Sequence, residues 1–391
     1  GEVVVDLTAL ERAGLFSSFQ HLGGRDAKDG VFRERAGLTH FMARGRPAWR
    51  EARAALQRLF ATSESVLRDN AALRAKALVH HADVDMLLPT GETGPRGYTD
   101  FYSSRHHAEN VGEMFRGART LPAAWLSIPI AYHGRASSVV PTGTPVRRPC
   151  GQILPKGEKK PIYSPCRVLD FELEMAAVVG PGTELGSAVG ARDASAHIFG
   201  LSLMNDWSAR DIQKFEYVPL GPFGSKNFAT TLGPWVVTLE ALEPFACAAE
   251  EQSPGPLPYL DEGDARRTFD IDLGVNINGH SACKSNYKHL YWTAEQQLSH
   301  HTVTGCSLET GDLFGSGTIS GPGKREYGCM LELSWQGSRE VALGEGAVGG
   351  TRTFIEDGDS VVLTGVARSA DGTAAPVSFG ECEGTVLPAT P

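Results

Sequence analysis

Acids stand at alternate positions in Val168-Leu-Asp-Phe-Glu-Leu-Glu-Met-Ala-Ala-Val178, and carboxylates at that spacing can hold a cation. Successive side chains on a strand point to opposite faces. Leu169, Phe171, Leu173 and Met175 therefore share one side, and Asp170, Glu172 and Glu174 the other. Two ionised carboxylates about 6.5 to 7 Å apart repel by about 2 to 3 kcal/mol at an effective dielectric near about 20. A hard cation between them removes that cost. The same pattern suits the solvated outer face of an antiparallel strand, so the segment reads either as a cation site or as a wet surface.

Other constellations could move protons or meet negative charge. Thr99-Asp-Phe-Tyr-Ser-Ser-Arg-His-His-Ala108 puts Asp100 where it could cap a helix whose first turns carry His106 and His107, with Arg116 beyond. A histidine there can be a general base or a structural residue, and the chain has 12 histidines. Asn205-Asp-Trp-Ser-Ala-Arg-Asp-Ile-Gln213 begins like a helix. If that helix persists, Asp206, Arg210, Gln213 and Tyr217 form one stripe, facing either solvent or a site, until Pro219 and Gly221 stop it. Phe223-Gly-Ser-Lys-Asn-Phe-Ala-Thr230 follows as a loop offering Lys226. Gly328-Cys-Met-Leu-Glu-Leu-Ser-Trp335 reads as a strand in which Glu332 sits among apolar residues. A carboxylate buried there needs a partner, for which histidine is the natural choice.

The elements that must hold these residues differ along the chain. From Thr39 to about Leu78 the pattern is helical: Pro47 suits a first turn, and Trp49, Ala52, Leu56, Leu59 and Phe60 follow with helical spacing. Pro89-Thr-Gly-Glu-Thr-Gly-Pro-Arg-Gly97 is a connector, beyond which short strands and turns dominate. Phe269 to Ile277 alternates and runs into Asn278-Gly279, a hairpin signal; Asp357-Gly358 and Asp371-Gly372 mark further turns, and Glu250 to Arg267 reads as a long surface loop. With 391 residues, 41% of them apolar, the chain can bury large cores in two or three domains. A net charge of −9 argues against nucleic-acid and anionic-membrane surfaces. There is no apolar run of about 18 residues, so neither a membrane span nor a signal peptide is expected, although the opening inside Glu2-Val-Val-Val-Asp6 suggests residues upstream of Gly1. Seven scattered cysteines without a C-x-x-C pair fit reduced thiols in a cytosol-like compartment.

Six stretches together resemble the fumarylacetoacetase (fumarylacetoacetate hydrolase) family: Asp100 to His107, Ile130-Ala-Tyr-His-Gly-Arg-Ala-Ser-Ser138, Leu169 to Glu174, Met204 to Gln213, Tyr217-Val-Pro-Leu-Gly-Pro-Phe223 and Ser316-Gly-Thr-Ile-Ser-Gly321. The resemblance continues in order to Phe379-Gly-Glu-Cys382. It implies an α+β, mostly β fold: a small, truncated SH3-like amino-terminal module with helices over 1–92, then a mixed β-sandwich/roll catalytic domain over 93–391. It also implies a calcium ion on Asp100, Glu172, Glu174 and Asp206, or magnesium in some relatives, and a nearby cation held through Asp206, Lys226 and Thr230. An ammonium has no lone pair, so Lys226 would reach that cation by its carbonyl. By the same resemblance His107 is the base and Glu332 orients it. Tyr102, Arg116, Tyr132, Gln213, Tyr217 and Thr318 hold substrate, while Arg210, Gln213 and Lys226 stabilise developing negative charge. The implied reaction splits a small diketo-diacid, fumarylacetoacetate, into fumarate and acetoacetate at the end of tyrosine and phenylalanine breakdown, in a cytoplasmic homodimer. Acylpyruvate hydrolases and oxaloacetate decarboxylases of the wider superfamily need the acids but not the tyrosine-rich pocket. A calcium-stabilised β protein would need the acids but not His107 or Glu332.

Overall fold

The structure, a computed structural model, describes residues 2–22, 30–32, 37–369 and 372–390. The β-branched run Val3–Val5 pairs antiparallel with Leu78–His80. Between them lie short capped helices: the Asp6 carboxylate accepts from the Ala9 amide at the start of Leu7–Arg12, and the Asn70 side chain accepts from the Leu73 amide at the start of Ala71–Ala77. Pro47 occupies the first turn of helix Arg46–Leu59, as expected. Ala48, Trp49, Ala52 and Ala55 form its buried stripe, whereas Phe60 follows its last residue and is 46% exposed. An SH3-like barrel is not among the described elements of this region, which are helices and one two-stranded ladder.

Beyond Gly97 strands dominate. From edge to edge an eight-stranded sheet runs Ala131–His133, Tyr98–Phe101, Leu313–Gly315, Leu173–Val179, Ile198–Asn205, Thr230–Leu232 and Val139–Pro141, with Val237–Thr238 also paired to Ile198–Asn205. A five-stranded sheet runs His280–Asn286, Ile271–Ile277, Ser360–Ala367, Val377–Leu387 and Val146–Arg147. Its first two strands meet at the expected Asn278-Gly279 turn, where φ of 53° and 80° is the left-handed pair that a tight hairpin requires. The turn expected at Asp371-Gly372 falls partly outside the described residues. All seven cysteines are free thiols.

Leu173, Met175, Ala177, Leu201 and Leu203 of the larger sheet share a core with Leu273, Val275, Val361, Leu363 and Phe379 of the smaller one. The opposite face, through Ala176, Val178, Phe199 and Met204, shares a second core with Phe41, Met42 and Trp49 of the amino-terminal helices. With both faces covered, Asp170, Glu172 and Glu174 are 0%, 5% and 0% exposed, and the wet-surface reading fails.

Local structure departs from expectation in four places. The acid segment is two strands, Leu169–Asp170 and Leu173–Val179, broken at Phe171 and Glu172. The segment around Glu332 is a single helical turn, Met330–Leu333, because a short apolar run with one acid fits either period. Asp206 precedes the helix rather than lying on it: Ser208–Ala209 first pairs with Leu169–Asp170, and the helix spans Arg210–Glu216. Finally, Glu250 to Arg267 is not wholly superficial, since Leu260 is completely buried.

Candidate active site

The sheet register assembles the acids. Asp100 on Tyr98–Phe101 pairs with Gly315, and Gly315 pairs on its other side with Ala176, two residues from Glu174. A Cβ at Gly315 would stand 2.6 Å from Met204 Cε, 2.7 Å from Asp100 Oδ1 and 3.1 Å from Glu174 Oε2, so a side chain there would push these side-chain ends aside. Asp206 follows the end of Ile198–Asn205, and Thr230 opens the next strand. Ligand oxygens of Asp100, Glu172, Glu174 and Asp206 consequently lie within 4.8 Å of one another, all buried.

This cluster is short of donors. Lys226 Nζ bridges Glu172 Oε2 and Asp206 Oδ2 at 2.5 Å each, Tyr132 Oη donates to Asp206 Oδ2 at 3.0 Å, and Thr230 Oγ1 donates to Asp206 Oδ1 at 3.2 Å. Glu174 Oε2 accepts the Gly317 amide at 3.0 Å. Asp100 Oδ1 and Glu174 Oε1 have no hydrogen-bond partner although both are buried. Burial, followed by the surrounding carboxylates, pushes Asp100 and Glu174 well above the usual carboxylate range. Burial would raise Glu172 too, but Lys226 and Arg210 outweigh it and hold it at about 2. Orphaned carboxylate oxygens in a set of hard donors fit a divalent cation, which would supply the missing positive charge.

The second carboxylate centre is saturated. Ser104 caps helix Arg105–Arg116 by accepting the His107 amide, a role that had been expected of Asp100. His107 in the first turn places Nδ1 2.6 Å from Glu332 Oε2. Asn110, one turn further on the same helix face, donates Nδ2 to Glu332 Oε1 at 2.8 Å, while Ser320 Oγ and Cys329 Sγ donate to Oε2 at 2.8 Å and 3.2 Å. Burial opposes ionisation of Glu332, but His107 and these donors outweigh it and keep its carboxyl below the usual range. Burial also pushes the Cys329 thiol well above its ordinary value, so His107, Cys329 and Glu332 are joined by hydrogen bonds that meet at Glu332 Oε2. The segment Ser316–Ser320 spans the two centres: the Gly317 amide binds Glu174, Ser320 Oγ binds Glu332, and Thr318 is buried between them.

Arg210 Nη1 reaches Glu172 Oε1 at 2.7 Å and Gln213 Oε1 at 3.1 Å, and its Nε reaches Asp170 Oδ2 at 2.9 Å. The Tyr102 ring meets the His107 ring edge-on at 5.4 Å. The structure thus gathers Asp100, Tyr102, His107, Tyr132, Glu172, Glu174, Asp206, Arg210, Gln213, Lys226, Thr230, Thr318 and Glu332. Two predicted residues lie at the exposed edge of the site. Arg116 closes its helix and bonds Thr120 Oγ1 at 3.0 Å, but its guanidinium turns back beside Gly112, near enough to Tyr102 for its charge to oppose the rise that burial imposes on that hydroxyl. Tyr217 follows the last residue of helix Arg210–Glu216 and is 49% exposed. Three partners of Glu332 carry no role in the sequence analysis: Asn110, whose i+3 spacing from His107 was a usable signal, and Ser320 and Cys329, which lie inside stretches already singled out.

Comparison with known proteins follows the same lines. Residues 96–387 match the family model described as fumarylacetoacetate (FAA) hydrolase C-terminal, and residues 1–89 the one described as fumarylacetoacetase N-terminal. Fumarylacetoacetase of Bos taurus is 51% identical over 398 residues, covering 100% of this chain and 90% of that protein. The Arabidopsis thaliana protein of the same name is 50% identical over 400 residues, again with 100% and 90% covered. Among solved structures, a fumarylacetoacetate hydrolase from psychrophilic Exiguobacterium antarcticum aligns over 85% of this chain and 90% of its own, at TM-score 0.49 and 18% identity. Among the described residues no helix is long and apolar enough to cross a membrane. The chain belongs to the fumarylacetoacetase family.

Proposed function

We propose that this chain hydrolyses the carbon-carbon bond of 4-fumarylacetoacetate to give fumarate and acetoacetate, the last step of tyrosine and phenylalanine catabolism. One observation carries the reading: a donor-starved acid cluster and a Glu332-locked histidine sit at the two ends of one strut, Ser316–Ser320, in a chain similar throughout to fumarylacetoacetases. Asp100, Glu172, Glu174 and Asp206 would hold one cation, calcium or magnesium, and Asp206, Lys226 and Thr230 a second one nearby. When bound, the first cation would supply Lewis-acid polarisation of the diketone. The working form is a cytoplasmic homodimer, with the amino-terminal unit at 1–92 and the catalytic unit at 93–391.

His107 donates its Nδ1 proton to Glu332 Oε2, which leaves the Nε2 lone pair free to take a proton from water, a general-base contribution of typically about 10² to 10⁴. The water oxygen bonds to the carbonyl carbon beside the fumaryl double bond. The bond from that carbon to the central methylene then breaks, and its electron pair leaves as the enolate of acetoacetate, which takes up a proton. Arg210, Gln213 and Lys226 face the negative charge that develops, where loss of one well-placed donor costs about 3 to 4 kcal/mol. Tyr102, Tyr132 and Thr318 line the substrate, and the two exposed residues, Arg116 and Tyr217, bind its ends, Arg116 exchanging Thr120 for a carboxylate. The test is a substrate panel with and without added divalent metal. Fumarylacetoacetate should give the highest kcat/KM; higher values for oxaloacetate or a mono-acid acylpyruvate would leave only the superfamily assignment.

A further inference from the structure

A carboxylate outside the residues assigned above joins both arms of the site. Asp170 is completely buried and accepts from three donors: Arg210 Nε and the Leu331 amide on Oδ2, both at 2.9 Å, and the Met330 amide on Oδ1 at 2.7 Å. Met330 and Leu331 open the single turn Met330–Leu333, and the residue before that turn, Cys329, gives it no side-chain cap. Intrinsic propensity cannot hold four residues helical, because a first turn is unfavourable until further hydrogen bonds follow. Asp170 supplies from another segment the acceptor that a capping residue would supply locally. The third residue of this turn is Glu332, the partner of His107 Nδ1. Asp170 is itself fixed: Ser208 pairs with it and Ala209 with Leu169 immediately before Arg210, and the Ile355 amide donates to the Leu169 carbonyl at 2.9 Å.

We infer that Asp170 is a positioning residue for the reaction, holding the Glu332-bearing turn and the Arg210 guanidinium in one register so that base and charge-stabilising donors face the same point. A salt bridge serving stability alone needs only the Arg210 contact. The two backbone amides tie Asp170 to Glu332, and through it to His107. Only the kinetic arm of the test rests on the proposed hydrolase reading.

Asp170→Asn keeps the size of the side chain but replaces one acceptor oxygen with a donor. The first readout needs no substrate: the proton on His107 Nδ1, followed by NMR in histidine-labelled protein and assigned by its loss in Glu332→Gln, should move or broaden in Asp170→Asn. On fumarylacetoacetate, kcat should fall on the order of 10- to 100-fold while KM stays within about twofold. The loss should be smaller in a Glu332→Gln background, because both changes break one unit. If Asp170→Asn does not fold, Asp170→Glu, which keeps the charge and displaces the carboxylate by a methylene, takes its place with the same expectations. An unchanged Nδ1 proton, an unchanged kcat, or an undiminished loss in the Glu332→Gln background overturns the inference. A wild type that shows the resonance but does not turn over fumarylacetoacetate sinks the hydrolase reading instead, and the resonance in the Asp170 variant still decides the inference.

Discussion

A lone buried carboxylate, Glu332, and a cluster of four lie at opposite ends of Ser316–Ser320, and they are finished differently. Glu332 accepts from His107, Asn110, Ser320 and Cys329, so its charge is fully met by the chain. Asp100, Glu172, Glu174 and Asp206 share one ammonium, that of Lys226, with Arg210 reaching only Glu172, and two of their oxygens are orphaned. A buried ionised group without partners costs several kcal/mol, so Asp100 and Glu174 hold on to their protons unless something from outside completes the set. One region is therefore built to orient, and the other to bind.

The largest effect that breaks this contrast comes from the saturated side. His107→Ala should lower kcat on the order of 10² to 10⁴ while metal content stays at the wild-type level, read by fumarate release and elemental analysis. Parallel loss of metal would show that the two regions are not separate. On the other side, Glu174→Gln removes a charge without changing shape. Wild-type protein with metal at about 100 times its Kd should gain about 2.7 kcal/mol of stability, and the variant much less, as seen in thermal unfolding with and without chelator.

The contrast sharpens with pH, because Glu332 on one side and Asp100 and Glu174 on the other are shifted in opposite directions, Glu172 alone of the acid cluster being held low. Glu332 is held below its unfolded value of about 4.3, so its contribution is present above that pH and is lost as pH falls through the folded value. Glu332→Gln should flatten the acid limb of the stability curve below about pH 4, where each pH unit is worth up to about 1.4 kcal/mol. Asp100 and Glu174 are raised in the folded state. The metal-free protein should thus be favoured below about pH 4 and lose stability as pH rises through their folded values, whereas added metal should abolish that loss. Denaturant titrations across pH with and without chelator test both slopes. The smallest effect is at Arg116: Arg116→Lys should change stability by no more than about 0.5 kcal/mol, and should raise KM for the diacid more than for a mono-acid analogue.

Much of the acid cluster was legible from the chain. Alternation set Asp170, Glu172 and Glu174 on one side without choosing between a cation site and a wet surface, and the first helical turn left His107 either a base or a structural residue; the family resemblance made the choice. Burial was not legible, because alternation gives two faces without saying that the amino-terminal helices cover the second one. Glu332 was found as an acid needing histidine, but on the wrong element, since Leu331-Glu-Leu333 is too short to separate a strand from one helical turn. The stripe through Asp206 and Tyr217 failed for a related reason: the Ser208–Ala209 ladder delays the helix to Arg210, leaving Asp206 on the sheet side and Tyr217 outside. Asp170 belonged to the acid pattern, yet its partners, the Met330 and Leu331 amides, lie about 160 residues away, a pairing only the fold reveals.

The most direct test of the account is exhaustive chelation followed by titration with calcium or magnesium, recording the thermal midpoint and fumarylacetoacetate hydrolysis on the same samples. The account predicts that chelation lowers the midpoint and abolishes hydrolysis, and that added metal restores both in wild type, whereas His107→Ala recovers only the midpoint. Full hydrolysis in the chelated protein, with no shift in its midpoint, would contradict it.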